Sequence, residues 1–182
     1  KKSYSKGTEL RGKTLGILGF GNIGQATAKL AIGVGMNVIY FDPEVKETNI
    51  DLSFFDGQKM TFDLKSSKKS DLLEKADYIS LHIPGQDNYV LGKTEFAQMK
   101  KGVGIVNAAR GGVLDEVALI EALENGSVSF AGLDVYESEP NPEIKILMHS
   151  SISLSPHIGA ATLEAQERIG LELAEQIISL LK

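Results

Sequence analysis

Short hydrophobic runs alternate with segments of helical periodicity along most of the chain. The runs predict buried strands, and the segments between them carry apolar residues three or four positions apart, as amphipathic helices do. Strands that alternate with helices in this way predict an α/β fold, a doubly wound (Rossmann-type) parallel sheet with helices on both faces. The predicted strands cover residues 13–18, 37–41, 78–81, 104–106, 130–133 and 152–154.

Helical spacing appears after the first strand, at 71–76, at 96–99, after Asp115 and at the end of the chain. Asp115 can accept a backbone N–H at the start of its helix, and Asn125-Gly126 ends that helix. The last helix has an apolar stripe, which we expect to lie in the core or at an interface. The apolar positions are Ile23, Ala26, Leu30 and Val34 in the first helix, Ala118, Leu119, Ala122 and Leu123 in the fourth, and Ile169, Leu173, Ile177 and Leu181 in the last.

One segment breaks the alternation. Residues 52–55 and 59–64 have strand-like composition on either side of Asp56-Gly57. This pattern predicts a β-hairpin inserted near 52–64, with a positive φ angle at Gly57; an irregular loop is the alternative. No cofactor motif lies inside the segment.

Composition narrows the class of protein. The 182 residues fit one domain, and the net charge of −5 argues against non-specific nucleic-acid binding, which needs a basic surface. The chain has no cysteine, which excludes disulfides and cysteine metal sites, and we expect no metal. No apolar run is long enough to span a bilayer, so we expect no membrane association. The absence of cysteine suits a cytoplasmic location. Because the chain starts without Met directly ahead of a strand, we expect it to be part of a longer one.

A glycine-rich motif, Gly19-Phe20-Gly21-Asn22-Ile23-Gly24, follows the first strand and opens a helix. In this context the motif predicts a dinucleotide site. Gly19 permits a tight turn, Gly21 lets the backbone approach a pyrophosphate, and Gly24 lets the helix pack close to the strand. The phosphates would then bind the free N–H groups at the helix start.

Asp42 ends the second strand, 18 positions after Gly24. Its carboxylate can accept hydrogen bonds from the ribose hydroxyls of the adenosine and would repel a 2′-phosphate. We therefore expect NAD rather than NADP. The alternative is a turn aspartate before Pro43.

Three further segments follow strands: 107–112, 134–140 and 155–160. At the carboxyl ends of parallel strands they would meet at one edge of the sheet. They supply an arginine, carboxylates and a histidine. Arginine matches a substrate carboxylate with its planar fork, and a histidine can exchange the hydroxyl proton near neutral pH. A carboxylate behind the histidine would orient it and favour its charged form.

These motifs, taken in order, resemble the D-isomer-specific 2-hydroxyacid dehydrogenase family over essentially the whole chain. The resemblance rests on the glycine motif, on 107–112, on Ala131-Gly132-Leu133-Asp134-Val135 and on Pro156-His157-Ile158-Gly159. Residues 7–10 and 12–17 are most similar to the 3-phosphoglycerate dehydrogenases within the family. The chain departs from the family pattern mainly between Pro43 and Ser67.

The resemblance implies a role for each matching residue. Arg110 would bind the substrate carboxylate and the oxygen at C2, His157 would be the general acid/base, and Glu139 would pair with His157. Glu137 is the alternative partner, although its spacing from Asp134 and Pro140 is less suitable. Asp134 would hold the nicotinamide carboxamide, and His82 would line the cofactor site rather than act as a catalyst. The complete set of implied cofactor contacts is Gly19, Gly21, Asn22, Ile23, Gly24, Asp42, His82, Ile83, Pro84, Ala108, Ala109, Arg110, Asp134, His157 and Gly159.

The implied activity is hydride transfer between NAD and C2 of a D-2-hydroxyacid, with 3-phosphoglycerate favoured as the small-molecule substrate. The resemblance also implies a homodimer formed through the cofactor domain and a substrate domain that is mostly absent from this chain. Residues 1–9 would be an entry segment, and 158–182 would form a helix that packs toward that domain. The alternatives are an NADH-sensing corepressor and a non-catalytic NAD-binding protein of the same family.

Overall fold

A computed structural model of the chain describes residues 7–181, so most of the predicted entry segment lies outside the described residues. The strands are β1 (Thr14–Leu18), β2 (Asn37–Phe41), β3 (Glu47–Ser53), β4 (Lys59–Lys65), β5 (Tyr78–Leu81), β6 (Val103–Asn107), β7 (Val128–Leu133) and β8 (Ile152–Leu154). Six of them form a parallel sheet in the order β2-β1-β5-β6-β7-β8, and β3 and β4 form a separate antiparallel pair. The order starts inside the sheet at β1 and runs outward in both directions, which confirms the Rossmann-type prediction.

The helices are α1 (Asn22–Gly33), α2 (Lys69–Lys75), α3 (Lys93–Phe96), α4 (Glu116–Glu124), α5 (Ile144–Leu147) and α6 (Leu163–Leu180). The predicted cap of α4 is present, because Asp115 Oδ1 accepts the N–H of Ala118 at 2.9 Å. The four apolar positions predicted for the inner face of α4 are all buried. The helical turn expected at 96–99 lies earlier in the chain, as α3, and α5 was not predicted.

Two hydrophobic clusters form the core, one on each face of the sheet. Alternate residues of a strand point to opposite faces, and so Ile17 and Leu18 belong to different clusters. The larger cluster lies beneath α2, α3 and α4 and reaches from β1 to β7. The smaller one lies beneath α1 and includes Phe20, Tyr40 and Ile50.

The buried side of α1 differs from the sequence expectation. Its buried residues are Gly24, Ala28 and Ala31, which are small because the helix packs close to β1. A side chain at Gly24 would collide with the carbonyl oxygen of Gly19. The apolar stripe that predicted the helix faces outward instead, with Ile23, Ala26, Leu30 and Val34 exposed.

The predicted hairpin is present and is longer than expected. Strands β3 and β4 pair in register from Glu47 opposite Lys65 to Ser53 opposite Lys59. Gly57 at its tip has a φ angle of +86°, as the Asp-Gly turn predicted. The hairpin packs on α1 and on the outer edge of β2.

Two further apolar surfaces are exposed in the part of the chain that is described. No residue of α6 is buried, so its stripe does not belong to the core of the described residues. The sheet face on the α1 side is bare over β6 and β7, where Val106 is 39% and Phe130 41% exposed.

Candidate active site and dinucleotide loop

The register of the sheet brings all the predicted site segments to one edge. The last residues of neighbouring strands pair with one another, so the loops that follow begin side by side. These paired residues are Leu18 with Phe41 and Leu81, Leu81 with Asn107, Asn107 with Leu133, and Leu133 with Leu154.

The glycine-rich loop turns tightly against the loop after β5. Gly19 has a φ angle of +90°, and a side chain there would collide with the carbonyl oxygen of His82. Apart from its neighbours along the chain, no heavy atom of the described residues lies within 4 Å of the position that a Cβ at Gly21 would occupy. Within residues 7–181 no side chain caps α1, and its first turn holds no acidic residue. The free N–H groups and the positive end of the helix dipole therefore fit a pyrophosphate.

Asp42 lies beside this loop and is already engaged by the backbone. Its Oδ2 accepts the N–H of Phe20 at 2.6 Å, and its Oδ1 accepts those of Glu44 and Val45 at 2.8 and 2.9 Å. Burial alone would raise the pKa of Asp42, but these hydrogen bonds outweigh it and the pKa is lowered. Since a carboxylate has about four acceptor positions, Asp42 retains about one for a ribose hydroxyl. The carboxylate thus also holds the glycine loop in place.

His82 forms the wall opposite the glycine loop. The backbone N–H of His82 donates to the carbonyl oxygen of Leu18 at 2.7 Å, and the ring atom Nε2 lies 2.9 Å from Ser80 Oγ. Burial lowers the pKa of His82, so the ring is neutral at physiological pH. Ile83 contacts the Gly19 turn, while Pro84 is exposed.

Arg110 lies at the surface of the loop after β6. The buried side chain of Asn107 shapes this loop, because it accepts the N–H of Ala109 at 3.1 Å and donates to the carbonyl oxygen of Arg110 at 3.0 Å. The guanidinium donates to the carbonyl oxygen of Ala109 and makes no ion pair with any described residue. An exposed guanidinium of this kind is available to an anionic ligand.

His157 and Glu139 are joined by a hydrogen bond, with Nδ1 2.7 Å from Oε2. The other oxygen of Glu139 accepts the N–H of Tyr136 at 2.9 Å. The contact with His157 and the Tyr136 N–H together lower the pKa of Glu139, which remains a carboxylate at neutral pH. The His157 side chain is 50% exposed, and its Nε2 makes no hydrogen bond with the described residues. This nitrogen is available for proton exchange with a ligand.

Asp134 anchors the loop that carries His157. Its Oδ1 accepts the hydroxyl of Ser155 at 2.6 Å and the N–H of Ile158 at 2.9 Å, and its Oδ2 accepts the N–H of Gly159 at 2.7 Å. Burial opposes ionisation of Asp134, but these three bonds prevail and lower its pKa. His157 has a φ angle of +54°, a strained conformation for a residue with a side chain. The bonds on both sides of His157 hold it in this conformation.

Glu137, the alternative partner for His157, is hydrogen-bonded to Glu116 and Tyr89 instead. Its Oε1 accepts the N–H of Glu116 at 2.9 Å, and its own N–H donates to Glu116 Oε1 at 2.8 Å. Its Oε2 accepts the hydroxyl of Tyr89 at 3.1 Å. Glu116 is 6% exposed, and burial raises its pKa. This cluster links the loops after β5, β6 and β7. Glu116 and Tyr89 carry no signal in the sequence, because their residue types are common on exposed surfaces.

Glycines let these loops approach one another closely. A side chain at Gly111 would collide with the carbonyl oxygen of Tyr136, and a Cβ at Gly159 would lie 2.9 Å from Asp134 Oδ2 and 3.9 Å from Ala108 Cβ. The loops that carry Arg110 and His157 are thereby both in contact with the 134–140 loop. A cavity of about 600 Å³ adjoins the hydrogen-bonded His157 and Glu139; its lining includes Tyr136, Glu139, Pro140, Leu154 and His157.

Residues 7–181 contain no group of three or more His, Asp or Glu side chains placed to hold a metal ion. None of the described helices is both long enough and apolar enough to cross a bilayer.

Comparison with known proteins adds independent evidence. Residues 1–159 match the family model described as D-isomer specific 2-hydroxyacid dehydrogenase, NAD binding domain. The chain is 44% identical over 182 residues to a hydroxypyruvate reductase of Thermotoga maritima, covering 97% of this chain and 56% of that protein. It is 41% identical over 179 residues to a D-3-phosphoglycerate dehydrogenase of Methanocaldococcus jannaschii, covering 97% of this chain and 33% of that protein.

The fold has a similar counterpart among solved structures. The crystal structure of a glyoxylate reductase from Paecilomyes thermophila matches with a TM-score of 0.81 and 39% identity, covering 97% of this chain and 51% of that one. The chain thus spans about half the length, or less, of the relatives it matches. With the family model matched over most of its length, the chain belongs to the D-isomer specific 2-hydroxyacid dehydrogenases, of which it contains the NAD-binding domain.

Proposed function

We propose that the protein containing this chain interconverts a D-2-hydroxyacid and its 2-keto acid, with His157 as the general acid/base. The observation that supports this most directly is the hydrogen bond between His157 and Glu139, with Nε2 of the histidine left available at the strand ends. When bound, NAD supplies the redox chemistry, since its nicotinamide ring accepts or provides the hydride.

The side chains of this half would divide the remaining work. Arg110 would hold the substrate carboxylate through paired hydrogen bonds and would polarise the oxygen at C2. In oxidation, Nε2 of His157 would take the hydroxyl proton as the C2–H bond breaks; in reduction it would return that proton to the C2 oxygen. Glu139 would keep Nδ1 protonated and stabilise the imidazolium.

Asp42 would favour NAD by accepting a ribose hydroxyl and by repelling a 2′-phosphate. Gly21, Asn22, Ile23 and Gly24 would bind the pyrophosphate through their backbone at the start of α1. His82, Ile83 and Pro84 would line the adenosine side, Ala108 and Ala109 would lie against the cofactor, and Asp134 would meet the nicotinamide carboxamide. For Asp134 the three bonds to the His157 loop leave about one acceptor position for that contact.

We further propose 3-phosphoglycerate as the favoured hydroxyacid. The similarity of residues 7–17 to the 3-phosphoglycerate dehydrogenases supports it, while the hydroxypyruvate reductase and the glyoxylate reductase make their substrates the main competitors. A substrate domain outside this chain would complete the cleft, and the exposed apolar surfaces would be covered there and in a homodimer.

The test is an NADH oxidation assay on the complete protein with 3-phosphohydroxypyruvate, hydroxypyruvate and glyoxylate. One of these should support turnover, and NADPH should support it poorly. His157→Gln should lower kcat by about a hundred- to ten-thousandfold, the usual contribution of a general acid. His149→Gln is the matched control, because His149 lies in the loop before β8, and it should keep wild-type activity. No turnover with any 2-keto acid, or a fully active His157→Gln, would refute the proposal.

A further inference from the structure

The β3–β4 hairpin, residues 47–65, packs against the dinucleotide loop although it contains no cofactor motif. Ile50 on β3 is completely buried and belongs to the cluster beneath α1, together with Phe20 and Tyr40. Phe62 lies opposite Ile50 on β4 and packs against the same cluster. The hairpin therefore supplies part of the floor beneath the glycine-rich loop.

Phe20 is the residue between the first two glycines of that loop. Its ring stacks on Tyr40 with centroids 3.7 Å apart and planes 11° from parallel. Both side chains are fully buried. Because Phe20 lies next to Gly21, movement of its ring would displace the N–H groups at the start of α1.

A second connection runs through the backbone at the end of the hairpin. The N–H of Asp42 donates to Ser66 Oγ at 3.0 Å, and Ser66 Oγ lies 3.1 Å from the carbonyl oxygen of Asp42. Ser67 donates from both its N–H and its hydroxyl to the carbonyl oxygen of Tyr40, at 2.8 and 2.9 Å. Asp42 in turn accepts the N–H of Phe20. Stacking and hydrogen bonding thus join the hairpin to the same residue of the loop.

We propose that the β3–β4 hairpin is a positioning element of the dinucleotide site, in which Ile50 holds Tyr40 against Phe20 and so fixes the glycine-rich loop. Ile50, Phe20 and Tyr40 are positioning residues, not ligands of the cofactor. The inference depends on NAD binding by this domain and not on the substrate or the direction of the reaction.

The Tyr40 hydroxyl makes a sharp test possible. It is buried and has no hydrogen-bond partner among the described residues. An unpartnered buried hydroxyl lowers the stability of the folded state. Only the ring of Tyr40 takes part in the stacking on Phe20. Tyr40→Phe should then retain wild-type NADH affinity, whereas Tyr40→Leu should lose it together with the stack.

The measurement is a titration with NADH, followed by the fluorescence of the cofactor; the chain has no tryptophan to interfere. Ile50→Ala should raise the Kd for NADH by about two- to thirtyfold, the range found when mutations act through contacting groups. Ile146→Ala is the matched control: it removes the same atoms from a completely buried isoleucine in the other cluster. It should lower the melting temperature similarly and leave the Kd unchanged.

Equal Kd values for Ile50→Ala and Ile146→Ala would overturn the inference, as would normal NADH affinity in Tyr40→Leu. If Ile50→Ala does not fold, Ile50→Val gives the same comparison with a smaller cavity, matched by Ile146→Val. Failure of the wild-type protein to bind NADH would instead contradict the assignment of the domain. Lack of turnover with normal binding would contradict only the proposed function.

Discussion

His157 is held in place more by what surrounds its backbone than by its own side chain. The family resemblance implies the pairing with Glu139 and favours it over Glu137. The Asp134 bonds to the following turn could not be foreseen, because they depend on the path of the loop from Ser155 to Gly159. Similarly, Asp42 accepts three backbone N–H groups. It therefore has a structural role in addition to the predicted contact with a ribose hydroxyl.

We predict that Asp134→Asn destabilises the fold by about 1–3 kcal/mol at neutral pH, since one buried N–H loses its acceptor. The pKa of Asp134 is lower in the folded state than its ordinary value. Its stabilisation is therefore complete above that ordinary value, near pH 4, and is lost as the pH falls through the lowered pKa. The difference between wild type and Asp134→Asn should shrink below about pH 4.

Urea denaturation across this pH range measures the effect. Asp63→Asn, at an exposed position on the hairpin, is the matched control and should follow the wild type. If the free energies of unfolding of the wild type and of Asp134→Asn differ by the same amount at every pH, the role given to the ionised carboxylate is contradicted.

At the scale of elements, the sequence predicted strands better than helix faces. Each strand of the sheet is a compact apolar run, and its position follows from composition alone. The helix α1 was predicted from an apolar stripe that faces outward, because close packing against β1 selects glycine and alanine, which carry little hydrophobic signal. The four-residue helix α5 is too short to show a period. The Asp-Gly turn predicts the hairpin, but nothing in the sequence predicts the contacts of the hairpin with the glycine loop.

The loop after β7 carries two glutamates with separate tasks, and a pH profile should distinguish them. Under the proposed mechanism, reduction of a keto acid requires protonated His157, so the rate should fall at high pH. Glu139→Gln removes the negative charge that favours the protonated ring and should move that falling limb to lower pH. Glu137→Gln weakens the bonds to Glu116 and Tyr89 and should leave the limb in place.

Steady-state rates of the complete enzyme, measured between pH 6 and 10 on its best 2-keto acid, would decide between the two. The assignment is contradicted if the limb moves in Glu137→Gln and stays fixed in Glu139→Gln.

For the whole molecule, the described residues contain the proposed cofactor contacts and one wall of the proposed substrate cleft. The chain covers 56% of the hydroxypyruvate reductase it matches, and the apolar surface of α6 and the bare face over β6 and β7 lack a cover within residues 7–181. Periodicity could predict these surfaces as apolar but could not tell whether they were buried, because that depends on which elements pack against them.

We predict that the 182-residue chain alone binds NADH and does not turn over 2-keto acids. Holding a substrate in reactive geometry contributes about 7–11 kcal/mol to catalysis, and Arg110 and His157 supply only part of that. Calorimetry with NADH and an absorbance assay on the same sample test both halves of the statement. Rapid turnover by this chain would show that one wall suffices.

The glycine contacts between the active-site loops also constrain how such an enzyme can change. Gly111 lies against the backbone of Tyr136, and Gly159 lies against the Asp134 carboxylate, so a side chain at either position would displace a part of the neighbouring loop. New substrate preferences would therefore arise mostly from substitutions on the opposite side of the cleft. The relatives described above are about 40% identical to this chain and carry names for different hydroxyacids and keto acids. Substitution mostly on the opposite side of the cleft would produce this combination of similar sequence and different substrates.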